Sequence, residues 1–181
     1  MSKAVLISIR PEWCEKIING RKTIEVRKTR PKMDTPFKCY IYCTQSADML
    51  WILKERERSL HPDKIADVFK AAKCGGAYRG NGKIIGEFTC NRVTNLFSNS
   101  RFWLDEDDVL HTCLSAAEMR KYANGANGLY GWHISNLRIY DTPRELREFY
   151  AVPNEVEVAL KAKPRPITRP PQSWRYVEEE L

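Results

Sequence analysis

The chain has 181 residues, with 30 Lys or Arg against 23 Asp or Glu, leaving a formal charge of +7 at pH 7. That length supports one domain, or one domain with an appendage, large enough to bury its own core. No apolar run approaches the ~18 residues of a membrane helix, and the opening MSKAVLISIRPEW lacks a small-residue cleavage site. The six cysteines are scattered without C-x-x-C spacing. These features set the expectation of a cytoplasmic protein with no membrane partner, no metal and no cofactor, whose basic surplus favours phosphate-bearing partners.

The opening run Ala4 to Arg10 alternates as a strand, with Val5, Ile7 and Ile9 on one face and Leu6, Ser8 and Arg10 on the other. Pro11 suits the first position of a helix bearing Trp13, Ile17 and Ile18, and Asn19-Gly20 supplies its left-handed stop. In the next strand Ile24 and Val26 point to the core. Thr23, Glu25 and Arg27 then share the opposite face, with Lys22 just ahead of them. Residues two apart on a strand face stand about 6.6 Å apart, so one small polar ligand can touch both Glu25 and Arg27. The same spacing also describes a solvated face whose charges cancel.

Lys28 to Pro36 reads as a basic loop. Phe37 to Thr44 reads as a third strand that sets Tyr40 and Tyr42 on one face, as half-buried tyrosines or as a stacking platform for a base. Ala47 to Glu57 is expected to be a helix. A second starts at Pro62, after His61, carries Ile65, Val68, Phe69 and Ala72, and ends at Gly75-Gly76. Gly80-Asn81-Gly82 is a turn into a long strand from Lys83 to Phe97, broken near Asn91. The acidic run Asp105 to Asp108 reads as a solvated loop. Ser115 and Glu118 form a capping box for a helix through Ala123, closed by Asn124-Gly125. Leu129 to Ile134 is a strand with Tyr130, Trp132 and Ile134 on one face, and Pro143 to Tyr150 a short helix. From Lys161 the chain is rich in Pro and basic residues, and reads as an arm laid across the domain with Trp174 and Tyr176 as anchors.

The segment Gly20-Arg21-Lys22-Thr23-Ile24-Glu25-Val26-Arg27 resembles the G-x-K-x-x-E-x-R signature of the ASCH family, a branch of the PUA-like β-barrels. Gly82 to Phe88 is similar to the family's middle strand, and Tyr130 to Ile134 with the Pro143 turn to its late strand. The resemblance implies an α+β fold, a PUA-like small β-barrel of mixed strands with flanking helices. The domain is expected over 1–160, with a helical insertion at about 47–76, and the basic Pro-rich arm over 161–181. It further implies a cleft that binds RNA or a nucleotide, with DNA as the alternative partner. Ser8, Arg10, Trp13, Lys22, Glu25, Arg27 and Trp132 are the expected ligand residues. Lys22, Arg10 and Arg27 are assigned to phosphates, Glu25 to an exocyclic amine or 2′-hydroxyl, and Trp13 or Trp132 to stacking. The alternative is a small enzyme, ribonuclease or acetylcytidine amidohydrolase-like, using Lys22, Glu25 and Thr23. Against the amidohydrolase branch, the position three residues after Lys22 holds Glu25 where a threonine is expected, and Glu87 and Glu118 fit the third role poorly.

Overall fold

The run Lys3–Ile9 is apolar on both faces, which suits a strand covered on each side. The computed structural model describes residues 2–60, 66–98, 101–102, 106–126, 128–153 and 155–179. In chain order the elements are β1 (Lys3–Ile9), α1 (Pro11–Ile18), β2 (Ile24–Arg27), β3 (Phe37–Cys43), β4 (Trp51–Leu53), α2 (Glu55–Leu60), α3 (Ala66–Lys73) and β5 (Ala77–Arg79). There follow β6 (Ile84–Ser98), β7 (Arg101–Phe102), α4 (Glu106–Thr112), α5 (Ala116–Ala123), β8 (Gly128–Arg144), α6 (Glu155–Ala159) and β9 (Trp174–Glu178). The main sheet runs β2-β8-β6-β3-β1-β9, with β7 attached to β6, while β4 and β5 pair separately. β1 and β3 are parallel, Val5 facing Cys39 and Ile9 facing Cys43, so the chain must cross over between them; α1 and β2 form that crossover.

Both faces of the central strands are dry. Val5, Ile7 and Ile9 pack with Ile41, Phe88 and Trp132 on one side. Ala4 and Leu6 pack with Tyr40, Tyr42, Phe149 and Ile167 on the other. The expected tyrosine platform is therefore covered: Tyr40 meets Phe149 edge-on, with ring centroids 4.8 Å apart.

The expected barrel does not close through its backbone. Among the described residues no ladder joins β2 to β9, the two ends of the sheet path. Side chains span the gap instead: Arg27 on β2 reaches Ser8 O on β1 and Ser173 Oγ just before β9. β9 itself lies within the stretch read as an arm. It pairs antiparallel with β1, Trp174 against Ile7, and the Pro-rich run ahead of it masks its short alternation.

Two expected helices take other forms. Of Ala47 to Glu57, only Glu55 and the residues after it are helical; Trp51-Ile52-Leu53 pairs with Ala77-Tyr78-Arg79. Buried Asn81 supports that turnover, accepting from Leu50 N at 2.8 Å and donating to Asp48 O at 2.8 Å. His61 to Ile65 lie outside the described residues, and the helix expected to begin there is α3. Pro143 to Tyr150 is not a helix, because β8 continues to Arg144 along β6 and only Leu146–Glu148 forms a 3-10 turn. β2 covers β8 only as far as His133, so Pro143 sits on an open edge, where its missing N–H is tolerated. The break expected near Asn91 is a register shift between Cys90 and Arg92. The acidic run forms the start of α4 from Glu106 onward.

The β6–β8 crossing is close at Gly86, where an added Cβ would stand 2.4 Å from Arg138 O. Backbone cannot move aside as a side chain can. Gly86→Ala is expected to cost about 1–3 kcal/mol, the range for overpacking, with its effect read in a denaturant melt. An unchanged midpoint would mean the strands stand further apart.

Candidate functional site

α1 ends in a Schellman motif. Gly20 adopts φ +69°, its N–H donates to Ile17 O, and the N–H of Arg21 donates to Lys16 O. The turn places Lys22 inside the molecule immediately before β2. On β2, Glu25 lies opposite Trp132 and Arg27 opposite Tyr130 of β8. Directly opposed residues project to the same face, so both charges share the interior with Trp132.

The alternative of a solvated charged face is thereby overturned: Lys22, Glu25 and Arg27 are 2%, 5% and 7% exposed. Glu25 bridges the two cations, its Oε2 3.4 Å from Lys22 Nζ and its Oε1 2.9 Å from Arg27 Nη2. Lys22 also donates to Ile24 O at 3.0 Å and to Thr112 O at 2.7 Å. Thr112 ends α4, where a cation complements the helix dipole. The Trp13 ring covers the ammonium, 5.1 Å from Nζ. Arg27 donates to Ser8 O at 2.6 Å and Ser173 Oγ at 3.3 Å, and Ser8 Oγ donates to Pro171 O at 2.6 Å. Two cations against one carboxylate leave the cluster with an excess of one positive charge. Among the described residues, the buried Arg27 Nε and Trp132 Nε1 donors have no acceptor.

The structure thus brings together Ser8, Lys22, Glu25 and Arg27, with Trp13 at their side. Arg10 is exposed at the N-cap of α1. The stacking role expected of Trp132 does not fit its surroundings: at 0% exposure, between Phe37 and Trp174 at 5.7 and 5.9 Å, it offers no ring face for a base. Thr23 enters the architecture through its backbone, donating to His111 O and accepting from Ile134 N. Glu87 lies elsewhere, accepting from Tyr140 at 2.6 Å, and Glu118 caps α5. A cavity of about 730 Å³ also lies away from the cluster, on the β3–β6–β8 surface by Tyr40, Glu87, Arg138 and Tyr140.

Sequence reasoning missed Tyr122 of α5. Burial raises its phenol pKa, with Glu25 adding to the shift and Arg27 and Arg10 opposing it. Lys28 Nζ lies 5.3 Å from its ring centroid. No local signal marks this residue, since only the packing of α5 carries it there.

His133, next to Trp132, has Nδ1 3.3 Å from Arg92 Nη2 and Nε2 3.0 Å from Thr94 Oγ1. A guanidinium only donates, so Nδ1 accepts and Nε2–H donates to Thr94. Burial and then Arg92 lower its pKa, His111 adds to the effect and Asp108 opposes it. With the folded value below the ordinary ~6.5, the unfolded chain takes up the proton first. The stability from neutral His133 is expected to be present above about pH 6.5 and lost as pH falls through the folded pKa. An NMR titration of the imidazole should give a midpoint below that of a free histidine; one at or above it contradicts the assigned hydrogen bonds.

A mixed seven-stranded sheet flanked by helices, with a crossover carrying the charged motif, is an α+β fold shared with ASCH structures. The ASCH domain model matches residues 7–156, and the chain belongs to that family. The structure is similar to the crystal structure of ASCH from Zymomonas mobilis, with a TM-score of 0.56 at 16% identity over 97% of this chain and 88% of that one. A tyrosine-to-phenylalanine variant of that protein matches with a TM-score of 0.52 at 15% identity, over 98% of this chain and 92% of that one. A serine-to-alanine variant gives 0.54 at 15%, over 97% and 89%. Among curated proteins, none matches this chain.

Proposed function

We propose that the protein binds RNA or a nucleotide at the Lys22–Glu25–Arg27 cluster. The observation that carries this reading is a buried charge cluster with excess positive charge and two unpartnered donors. A buried ion cluster is a poor stability device, since well-packed apolar residues usually serve as well. Donors left without acceptors add to its cost. Both features are accounted for by a ligand that brings oxygens. The family fold is PUA-like and often RNA-associated, which agrees with a phosphate or base carbonyl as the source of those oxygens.

In this reading Arg10 meets phosphate at the rim, Arg27 and Trp132 donate to the ligand, and Glu25 accepts from a base amine through its remaining lone pairs. Trp13 supplies the stacking ring. In this reading the 1–160 domain is completed by β9 from the segment that follows it, with Pro171 and Ser173 over Ser8 and Arg27. Ligand entering the cluster displaces these two contacts. Binding is favoured over hydrolysis because Lys22 directs its ammonium to two carbonyls and Glu25, which leaves it poorly placed as a base or nucleophile.

Fluorescence anisotropy with a labelled single-stranded RNA tests the proposal. Saturable binding that an unlabelled nucleoside monophosphate displaces is the expected result. Failure of both RNA and mononucleotide to bind removes it.

A further inference from the structure

The chain leaving β2 carries Lys28, Arg30 and Lys32 in alternation, all exposed, and exposed Arg10 lies two residues after Ser8, whose carbonyl accepts from Arg27. Among the described residues none of the four has a carboxylate within ion-pair distance. The basic surplus is thus unneutralised here, in contrast to Arg21, Lys38 and Arg58, each paired with an acid. Two of the cations are held over aromatic rings: Lys28 lies 5.3 Å from the centroid of Tyr122, and Arg30 6.0 Å from that of Tyr130. Tyr130 is the β8 partner of Arg27, and Tyr122 feels the charges of Arg27, Glu25 and Arg10. The segment that directly follows Arg27 of the buried cluster is thus a path of exposed cations, two of them over rings. The path continues to Lys32, whose backbone N–H donates to Tyr176 OH at 2.7 Å, and this bond with Trp174 Nε1 to Thr29 Oγ1 pins the loop against β9.

We infer that this path, Arg10–Lys28–Arg30–Lys32 with Tyr122 and Tyr130, is a track for the backbone of single-stranded RNA, so that the ligand is a polymer rather than a free nucleoside. The inference rests on the nucleotide-binding reading of the cluster. Its physical basis is separate: exposed, unpaired cations release counterions on meeting phosphates, and ring faces among them stack bases without regard to sequence. A duplex buries its base faces and gains nothing from the two tyrosines. A free nucleoside has no second phosphate to reach Lys28, Arg30 or Lys32.

The test compares wild type with the triple variant Lys28→Ala, Arg30→Ala, Lys32→Ala, all surface changes that should leave the melt intact. Labelled single-stranded RNA of about a dozen nucleotides is titrated at several salt concentrations, and a nucleoside monophosphate is titrated separately. The track predicts that the oligonucleotide binds more tightly than the monophosphate. It also predicts that the triple variant binds RNA at least tenfold more weakly, with a log–log salt slope smaller by about 2, from about 0.7 per phosphate contact. Monophosphate affinity should stay unchanged. If the two ligands bind wild type equally, or the variant keeps the RNA affinity and slope of wild type, the track is overturned while the cluster reading stands. A duplex bound as tightly as the single strand also overturns it. If neither ligand binds wild type, both readings fall together.

Discussion

Replacing Glu25 with glutamine should cost the protein about 3–5 kcal/mol, the usual penalty for removing one partner from a buried ion cluster. Among the described residues, Glu25 is the only anion between Lys22 and Arg27, at 3.4 and 2.9 Å, and all three side chains are almost fully buried. Glutamine keeps the shape and one acceptor oxygen but leaves two cations facing each other without a counter-charge. Folded proteins of this size lose roughly 2–4 °C of melting temperature per kcal/mol, so a fall of about 6–20 °C is expected by calorimetry. The loss should resist added salt, because screening acts weakly on buried charges. A melt within a degree or two of wild type would show that water, rather than Glu25, balances the cations.

Lys22→Met should act chiefly on the ligand. It keeps most of the side-chain volume under Trp13 and leaves a neutral Glu25–Arg27 pair, so the excess positive charge disappears. A unit charge about 6 Å from a ligand phosphate is worth about 3 kcal/mol at an effective dielectric of about 20. RNA affinity should therefore fall roughly 100-fold. Stability should fall too, by about 1–3 kcal/mol, since Thr112 O and Ile24 O lose their shared donor. Anisotropy on the folded variant separates the two effects. Unchanged affinity at unchanged fold would remove Lys22 from the site.

Much of the architecture was legible because its signals are local. Pro11 and Asn19-Gly20 bound α1, Ser115 and Glu118 close the capping box of α5, and the apolar alternation of Phe37 to Cys43 gives β3. What escaped depends on partners far along the chain. Trp51-Ile52-Leu53 takes its strand form from Ala77-Tyr78-Arg79, and β8 reaches Arg144 because β6 runs beside it. β9 needs β1 to make its five residues a strand. The candidate site divides in the same way. The motif placed Lys22, Glu25 and Arg27 together, yet two-residue spacing reads alike on a wet face and a buried one. Burial comes from Thr112 on α4, Ser173 before β9 and Trp132 on β8, which no local pattern supplies. The same packing withdraws the ring of Trp132 and brings Tyr122 forward.

In the proposed complex a ligand supplies the acceptors missing around Arg27 Nε and Trp132 Nε1. Arginine Nε–H and indole N–H groups are both observable by proton–nitrogen NMR, so a titration with a nucleoside monophosphate can follow the two directly. Both signals should move saturably, with one dissociation constant, and a neutral nucleoside should move them less. If the monophosphate binds while these two signals stay in place, the site lies elsewhere on the protein and the Lys22–Glu25–Arg27 cluster is structural.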